Sequence, residues 1–144
     1  DEMQVETILR GKGSLVHTVP ETAKLSDAVA ILNQHNIGAV VVTDAKGRVA
    51  GILSERDVVR ALAKGLAHVL DEPVRARMTA TVFTATRATT IDELMNVMTN
   101  RRVRHIPIVE NGQLVGIVSI GDVVKRKIEV TVQEAEALRD YIAT

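Results

Sequence analysis

The spacing of apolar residues in the first half of the chain predicts an alternation of short helices and strands. The predicted elements are a helix over residues 3–13, a strand over 15–18, a helix over 24–36, strands over 39–43 and 48–53, and a helix over 54–64. Ser26 or Thr22 is the expected N-cap of the second helix. Pro20 prevents the first strand from continuing as a central strand, because proline has no N–H to donate.

The second half of the chain predicts the same order of elements. They are a short helix over residues 74–78, a strand over 82–85, a helix over 90–100, strands over 105–109 and 114–118, and a long helix that begins at Ser119. Asn111-Gly112 is a strong signal for a two-residue hairpin turn. The last helix carries an apolar stripe that includes Ile128, Leu138 and Ile142. Two interpretations of this stripe stay open, a subunit contact or packing back over the protein's own core.

The two halves are copies of one unit. Val16–Val19 aligns with Val82–Ala85, and Gly47, Gly51, Ser54 and Asp57 then fall on Gly112, Gly116, Ser119 and Asp122. We therefore divide the chain into an N-terminal helix with the first unit (1–66), a linker with a short helix (67–81), the second unit (82–127) and a C-terminal helical extension (128–144). Two such units are expected to pack against each other about a pseudo-twofold axis.

Composition narrows the classes of function. Of the 144 residues 46% are hydrophobic, which is too apolar for disorder. No apolar run approaches the roughly 18 residues that a membrane helix needs. The absence of cysteine excludes disulfides and thiolate catalysis and fits a cytoplasmic protein. Eighteen acidic and 18 basic residues give zero net charge, without the basic excess of most nucleic-acid binders. Because Phe83 and Tyr141 are the only phenylalanine and tyrosine, a bound base would have to lie between aliphatic side chains.

Each unit contains a Ser-x-x-Asp turn between a strand and a helix, Ser54–Asp57 in the first and Ser119–Asp122 in the second. The N-terminus of a helix offers free N–H groups and the positive end of the helix dipole, and this is a common place to hold an anion. The alternative is a helix cap, since a serine followed by an acid three residues later forms a capping box worth about 1 kcal/mol. Duplication copies caps as readily as binding sites, so both interpretations stay open.

The chain resembles a tandem pair of cystathionine-β-synthase (CBS) domains, an arrangement called a Bateman module. The resemblance extends from about Val5 to Lys127. It rests on Ile37–Asp44 with Gly47, Gly51 and Ser54-x-x-Asp57, and on Val103–Val109 with Gly112, Gly116 and Ser119-x-x-Asp122. It implies an α/β (α+β) fold in which two strand–helix–strand–strand–helix units form a stand-alone CBS pair.

The resemblance also implies a regulatory or sensor module without catalysis. Such a module binds an adenosine-containing ligand between its two units, AMP foremost, with ADP, ATP, NAD(H) or S-adenosylmethionine behind it. The resemblance assigns the ribose hydroxyls to Asp57 and Asp122 and places Ser54 and Ser119 near ribose and phosphate. Adenine is assigned to the backbone around Thr18 and Thr84, for which strand propensity is the alternative explanation. The other implied nucleotide-binding residues are Val19, Pro20, Ile37, Gly38, Ala39, Val40, Arg56, Val103, Arg104, His105, Ile106, Pro107 and Gly121. Which threonine shares a cleft with which aspartate is left open.

Charge differs between the two copies. Arg56 stands beside the first aspartate, where the second copy has Gly121. Arg104-His105 precedes the second hairpin, where the first copy has Gly38-Ala39. In the CBS pairs that the chain resembles, basic residues at the Arg104-His105 positions reach ligand phosphates. The resemblance therefore makes Arg56 and Arg104 candidate phosphate ligands, with His105 and Lys125 as weaker ones, although a lone surface arginine is usually only a solvated charge. We expect two inequivalent clefts.

Other classes of function find less support in the sequence. The histidines at positions 17, 35, 68 and 105 lack the spacing of a zinc site, and neither serine turn is a G-x-S-x-G motif, so we expect no metal and no enzyme. One alternative is a protein-interaction scaffold with vestigial clefts. A less favoured one is nucleic-acid binding through Arg75, Arg77, Arg101, Arg102 and Arg104. We expect a homodimer to which the last helix contributes, and the sequence names no partner protein.

Overall fold

The computed structural model describes residues 3–143, which form two α+β units. The elements are α1 (Val5–Lys12), β1 (Thr18–Pro20), α2 (Leu25–His35), β2 (Ala39–Thr43), β3 (Val49–Ser54), α3 (Glu55–Gly65), α4 (Ile91–Arg101), β4 (His105–Glu110), β5 (Gln113–Ser119) and α5 (Ile120–Ala143). Two 3₁₀ helices, Leu66–Asp71 and Val74–Ala76, lie between α3 and α4. Asp1, Glu2 and Thr144, which belong to the predicted ranges 1–66 and 128–144, lie outside the described residues.

The first unit contains a three-stranded sheet with β2 in the centre. β1 runs parallel to β2, and β3 runs antiparallel to it. The strand predicted over 15–18 instead covers Thr18–Pro20, so its predicted start was too early. Pro20 ends β1, and its missing N–H is tolerated there because β1 is an edge strand.

The second unit has only a two-stranded sheet, because the strand predicted over 82–85 does not form. Within it, only Ala85 pairs, through a single bridge to Ile108. Pro107 explains the difference, since it occupies the position of Val41 in the first unit. The N–H of Val41 donates to the carbonyl of His17 (3.4 Å), whereas Pro107 has no N–H to offer the corresponding carbonyl of Phe83. Pairing therefore stops at Ala85.

The other predicted helices and strands are confirmed with small shifts at their ends. β4 and β5 meet at the predicted turn, where Asn111 (φ 51°) and Gly112 (φ 77°) both adopt the left-handed conformation of a type I′ hairpin. The predicted N-cap of α2 was wrong, because Lys24 occupies that position without a side-chain hydrogen bond. The N–H of Leu25 donates instead to the backbone carbonyl of Glu72 (2.9 Å). The helix predicted over 74–78 is the 3₁₀ turn Val74–Ala76.

Each unit has its own hydrophobic core, and each core is completed by the segment that precedes the other unit. Val69 and Val74, from the segment that leads into the second unit, are buried with Leu25 and Leu53 of the first. The apolar face of α1 is buried in the core of the second unit, although 1–66 groups α1 with the first unit along the chain. This exchange brings the end of α1 to the Ser119–Asp122 turn and the linker to the Ser54–Asp57 turn.

The C-terminal half of α5 extends away from both cores. Val123 and Val130 are buried, whereas every residue from 131 to 143 is exposed. The interpretation that this stripe folds back over its own core was therefore wrong for 131–143. In the part of the chain from Met3 to Ala143, no helix combines the length and the apolar character that crossing a membrane requires.

Candidate functional site

The two Ser-x-x-Asp turns form matching capping boxes at the N-termini of α3 and α5. The N–H of Asp57 donates to Ser54 Oγ (3.2 Å), and the N–H of Ser54 donates to Asp57 Oδ2 (2.9 Å). In the second unit the N–H of Asp122 donates to Ser119 Oγ (3.1 Å), and the N–H of Ser119 donates to Asp122 Oδ2 (2.9 Å). The cap interpretation is confirmed, and any binding role must be argued from what surrounds the two carboxylates.

A cleft of about 710 Å³, called here the larger cleft, opens beside the first turn. Its walls come from the first unit, the linker and the second unit. The lining residues are Gly38, Ile52, Ser54, Glu55, Arg56, Asp57, Arg60, Thr79, Thr81, Val82, Phe83, Arg102, Val103, Arg104 and His105. The carboxylate of one unit therefore faces a wall that the other unit builds.

Four arginines line the larger cleft. The sequence predicted Arg56 and Arg104, and the structure adds Arg60 and Arg102. The spacing of Arg60, one helical turn after Arg56, is a signal in the sequence that could have revealed it. Arg102 is itself the left-handed residue (φ 55°) that ends α4. Within residues 3–143 none of these four guanidinium groups belongs to an ion pair. They outnumber the two carboxylates of the lining, Glu55 and Asp57, so the cleft is net positive towards an anion.

A second cleft of about 390 Å³, called here the smaller cleft, lies beside the Ser119–Asp122 turn. It is lined by Lys12, Leu15, Val16, His17, Ile37, Gly38, Ala39, His105, Ile117 and Ser119. Its walls also come from both units, but its lining contains no arginine. The two clefts therefore differ in size and charge, as the sequence predicts.

The arrangement of the two clefts is crossed. Val82 and Phe83, which precede Thr84, line the larger cleft together with Asp57. Residues 15–17, which precede Thr18, line the smaller cleft with Ser119. The segment before each threonine thus lies opposite the Ser-x-x-Asp turn of the other unit. The sequence did not show which threonine segment shares a cleft with which turn.

Several predicted site residues do not line either cleft. Val19, Val40 and Ile106 are buried in the two cores behind the cleft walls. Asp122 reaches the smaller cleft only through its contact with Lys12, which lines it. The other predicted residues outside both linings are Thr18, Pro20, Thr84, Pro107, Gly121 and Lys125. Their binding roles stay predictions.

His105 lines both clefts, and Gly38 lies beside it in the wall between them. A Cβ atom on Gly38 would lie 3.3 Å from Glu55 Oε1, which is a tight contact, and 3.8 Å from His105 Cε1, which is an ordinary van der Waals distance, so a larger residue would press on the Glu55 carboxylate rather than on the imidazole. Burial lowers the pKa of His105 below its usual value, and the nearby charge of Lys12 lowers this pKa further. The imidazole in the shared wall is therefore held towards its neutral form.

One aromatic ring stands at an equivalent place in each cleft, and sequence reasoning missed both as site residues. Phe83 lines the larger cleft and His17 the smaller one, and the repeat aligns them. Each ring also contacts a side chain that does not line its cleft. The Arg101 guanidinium lies 5.2 Å from the centre of the Phe83 ring, and the His35 ring stacks on His17 at 3.7 Å. The lining of each cleft therefore includes one aromatic ring, in addition to the aliphatic side chains that composition suggested for a base site.

The two aspartates face different hydrogen-bond donors, which sequence reasoning also missed. Asp57 Oδ1 accepts from Thr79 Oγ1 (3.5 Å), whereas Asp122 Oδ2 accepts from Lys12 Nζ (2.7 Å). Burial by itself would raise the pKa of Asp122, but the hydrogen bonds from Lys12 and Ser119 outweigh this effect and hold the pKa below its usual value. Asp122 is thus kept ionised and paired.

The polar groups of the clefts do not form a metal site. In the described ranges, no three histidine, aspartate or glutamate side chains come together in a way that could hold a metal ion. The chemistry on offer is instead that of hydrogen bonding and anion binding at two helix N-termini.

Comparison with known proteins gives a consistent result. A family model described as CBS domain matches residues 15–64 and 74–129. The chain is 36% identical over 116 residues to a 17.7 kDa protein from Acidianus ambivalens, covering 80% of this chain and 69% of that protein. It is 36% identical over 120 residues to the CBS domain-containing protein CBSX3 of Arabidopsis thaliana, covering 81% of this chain. The chain spans only 58% of the length of CBSX3.

Solved structures include close matches to the whole fold. The CBS-domain protein ATU1752 from Agrobacterium tumefaciens is 47% identical with a TM-score of 0.82, covering 86% of this chain and 92% of that one. PAE2072 from Pyrobaculum aerophilum, solved in complex with AMP, is 28% identical with a TM-score of 0.74, covering 83% and 88%. The CBS pair of MJ0100, solved with 5′-methylthioadenosine and S-adenosylmethionine, is 26% identical with a TM-score of 0.75, covering 85% and 93%.

Proposed function

The chain belongs to the CBS domain family as a tandem pair of CBS domains, and we propose that it is a regulatory module that binds adenosine-containing ligands in its two clefts. AMP is the foremost ligand in this proposal, with ADP, ATP, NAD(H) and S-adenosylmethionine behind it. CBS pairs are regulatory proteins, and similar pairs have been solved with AMP and with S-adenosylmethionine. We propose that binding here is not accompanied by catalysis and that the protein is cytoplasmic.

The observation that carries this proposal is the larger cleft, which four arginines line together with the Asp57 carboxylate at the start of a helix. A phosphate fits this setting because guanidinium groups and the N-terminus of α3 both attract anions. The Asp57 carboxylate can accept the two hydroxyl protons of a ribose, and Ser54 lies beside it. Phe83 and the aliphatic side chains of Val82 and Val103 offer apolar surface to a base. One nucleotide would use all three parts of the cleft.

In the smaller cleft we propose the same roles for the equivalent residues. Asp122 and Ser119 would take the ribose, and residues 37–39 with His17 would contact the base. No arginine lines this cleft, so Lys12 is the group there that carries a full positive charge toward a phosphate. We therefore expect weaker binding of phosphorylated ligands in this cleft than in the larger one.

Titration with AMP tests the proposal. We expect two binding events of unequal affinity by calorimetry, and an increase of about 3 kcal/mol in the free energy of unfolding when AMP exceeds the tighter dissociation constant about a hundredfold. Arg56→Ala should weaken the tighter event several-fold. Arg75→Ala, which removes an exposed arginine outside both clefts, serves as the matched control and should leave binding unchanged. The absence of heat and of thermal stabilisation with AMP, NAD and S-adenosylmethionine would leave the scaffold alternative in its place.

We further propose that the protein forms a homodimer through α5. The extended half of this helix carries an exposed apolar stripe that includes Val132, Leu138 and Ile142. A second copy can cover this stripe with its own, because a twofold contact pairs the same surface on both subunits.

We also propose that the chain divides as the repeat predicts. The two units are residues 1–66 and 82–127, residues 67–81 are the linker, and residues 128–144 are the C-terminal extension.

The dimer is tested by sedimentation velocity. Leu138→Glu places a charge in the stripe and is expected to shift the protein to monomer at concentrations where the wild type is a dimer. Gln133→Glu places the same charge on the opposite face of the helix, where Gln133 is exposed, and should sediment as the wild type does. If Leu138→Glu also remains a dimer, the contact lies elsewhere on the molecule.

A further inference from the structure

Lys12 and Thr79 occupy equivalent places beside the two Ser-x-x-Asp turns. The N–H of Thr79 donates to the carbonyl of Ile52 on β3 (2.9 Å), and its hydroxyl donates to Asp57 (3.5 Å). Lys12 Nζ donates to the carbonyl of Ile117, the residue of β5 that matches Ile52 (3.0 Å), and to Asp122 (2.7 Å). Each group thus connects the strand to the aspartate, but Thr79 is neutral and Lys12 carries a positive charge.

The packing next to Lys12 and Thr79 supports this equivalence. Met78, which precedes Thr79, lies against Gly51 of β3, and Leu9, one turn before Lys12, lies against Gly116 of β5. Since the repeat aligns Gly51 with Gly116, the end of α1 and the linker occupy the same place in the two units. The two clefts therefore differ in the residue at this equivalent place, which is the neutral Thr79 in the larger cleft and the charged Lys12 in the smaller one.

The Lys12–Asp122 contact is partly exposed to solvent and can be exchanged. The two side chains are 35% and 24% exposed, and ion pairs in such positions are weak because water screens them. Lys12 also lines the smaller cleft, so its ammonium group can contact a ligand there. A ribose that takes Asp122 Oδ2 displaces the ammonium group from it, and the displaced group, still bonded to the carbonyl of Ile117, is then stabilised further if the ligand itself carries an anion.

We propose that Lys12 determines the ligand specificity of the smaller cleft by exchanging Asp122 for the phosphate of the ligand. This inference rests on the proposed function and deepens it. An adenine nucleotide supplies the phosphate that replaces Asp122 as the partner of Lys12, while its ribose takes the carboxylate. A neutral nucleoside displaces Lys12 without offering a replacement. The smaller cleft therefore selects phosphorylated adenosine compounds, whereas Thr79 places no such demand on the larger cleft.

The test is an NMR titration of the full chain with AMP and with adenosine, because backbone amides report on each cleft separately. The amide of Ser119 reports on the smaller cleft and that of Ser54 on the larger one. We expect wild-type protein to bind AMP about tenfold more tightly than adenosine at the smaller cleft, since a charge-assisted contact is gained only with the phosphate. Lys12→Met keeps the aliphatic stem, and it should bring the two affinities within about twofold of each other, partly through tighter adenosine binding.

Two further variants serve as controls. Lys12→Arg keeps the positive charge and should keep the preference for AMP. Thr79→Val removes the equivalent donor in the larger cleft and should leave the preference at Ser119 unchanged. An unchanged AMP-to-adenosine ratio in Lys12→Met would overturn the exchange while AMP binding at Ser54 still upheld the proposed function. If neither ligand shifts the Ser119 amide in any variant, the exchange is also overturned. If neither AMP nor adenosine shifts the amide of Ser54 or that of Ser119, the proposed function is overturned as well.

Discussion

Replacing Asp57 with alanine is expected to weaken AMP binding at the larger cleft about a hundredfold. In our proposal the carboxylate accepts both hydroxyl protons of the ribose, and a hydrogen bond to a charged group contributes about 1.5–3 kcal/mol. Losing two such bonds, with partial compensation by water, corresponds to about 3 kcal/mol, or roughly two orders of magnitude in affinity. Calorimetry with AMP measures this change directly. Asp122→Ala should affect only the weaker event, because the two carboxylates serve different clefts.

The effect of this substitution on binding must be separated from its effect on the helix. Asp57 also closes the capping box of α3, so alanine is expected to lower the stability of the fold by about 1 kcal/mol as well. Titration with 2′,3′-dideoxy-AMP provides the control on the ligand side. The wild type should bind it far more weakly than AMP, and Asp57→Ala should bind both alike. Equal losses for both ligands would mean that Asp57 acts only through the helix cap.

Gly51→Ala is expected to destabilise the protein by about 2–3 kcal/mol, much more than Gly116→Ala at the equivalent position. A Cβ atom at Gly51 would lie 2.7 Å from the backbone carbonyl oxygen of Thr79 and 2.7 Å from Met78 Sδ. The carbonyl cannot withdraw easily, because it accepts the N–H of Ile52 (3.0 Å) in the bridge between Ile52 and Thr79. Overpacking against fixed backbone must therefore distort β3 or the linker.

At Gly116 the same atom meets a side chain and no backbone. A Cβ atom there would lie 2.7 Å from Leu9 Cδ2 and 3.2 Å from Leu9 Cδ1, and a side chain shifts more readily than a carbonyl that is paired in a bridge. We expect Gly116→Ala to lower the free energy of unfolding by less than about 1 kcal/mol. Urea denaturation of both variants measures the difference. If the two variants are equally stable, the linker is free to move away from β3, and its backbone does not fix the position of Thr79.

Much of the fold follows from the repeat and from short-range patterns. The alternation of apolar residues, the Asn111-Gly112 turn and the Ser-x-x-Asp caps depend on neighbours in the sequence, and the structure confirms the elements they predict. The missing strand before β4 depends instead on Pro107, which removes a donor from a residue more than twenty positions away. A local pattern cannot express such a pairing.

The residues of the candidate site also fall into those that the sequence could predict and those that depend on contacts between distant parts of the chain. Arg56 and Arg104 could be predicted because the repeat shows where the copies differ in charge, and Arg60 follows from Arg56 by helical spacing. Lys12 could not be predicted, since it is far from Asp122 in the sequence and reaches it only because α1 packs on the second core. The residues that make the clefts unequal are thus partly set by the exchange of segments between units.

The crossed clefts have a consequence for how such a site can exist at all. Each cleft lies between the N-terminus of a helix from one unit and the segment before the threonine of the other unit. A single unit therefore supplies one wall of each cleft and contains neither cleft completely. Separate units would have to find each other in solution before any ligand could bind, and dilution would abolish the site. A covalent link replaces that encounter by an effective concentration on the order of millimolar, so binding no longer depends on how much protein is present. Because the two units are parts of one chain, they do not have to be identical. Their sequences differ here, so that four arginines line the larger cleft and a lysine lines the smaller one.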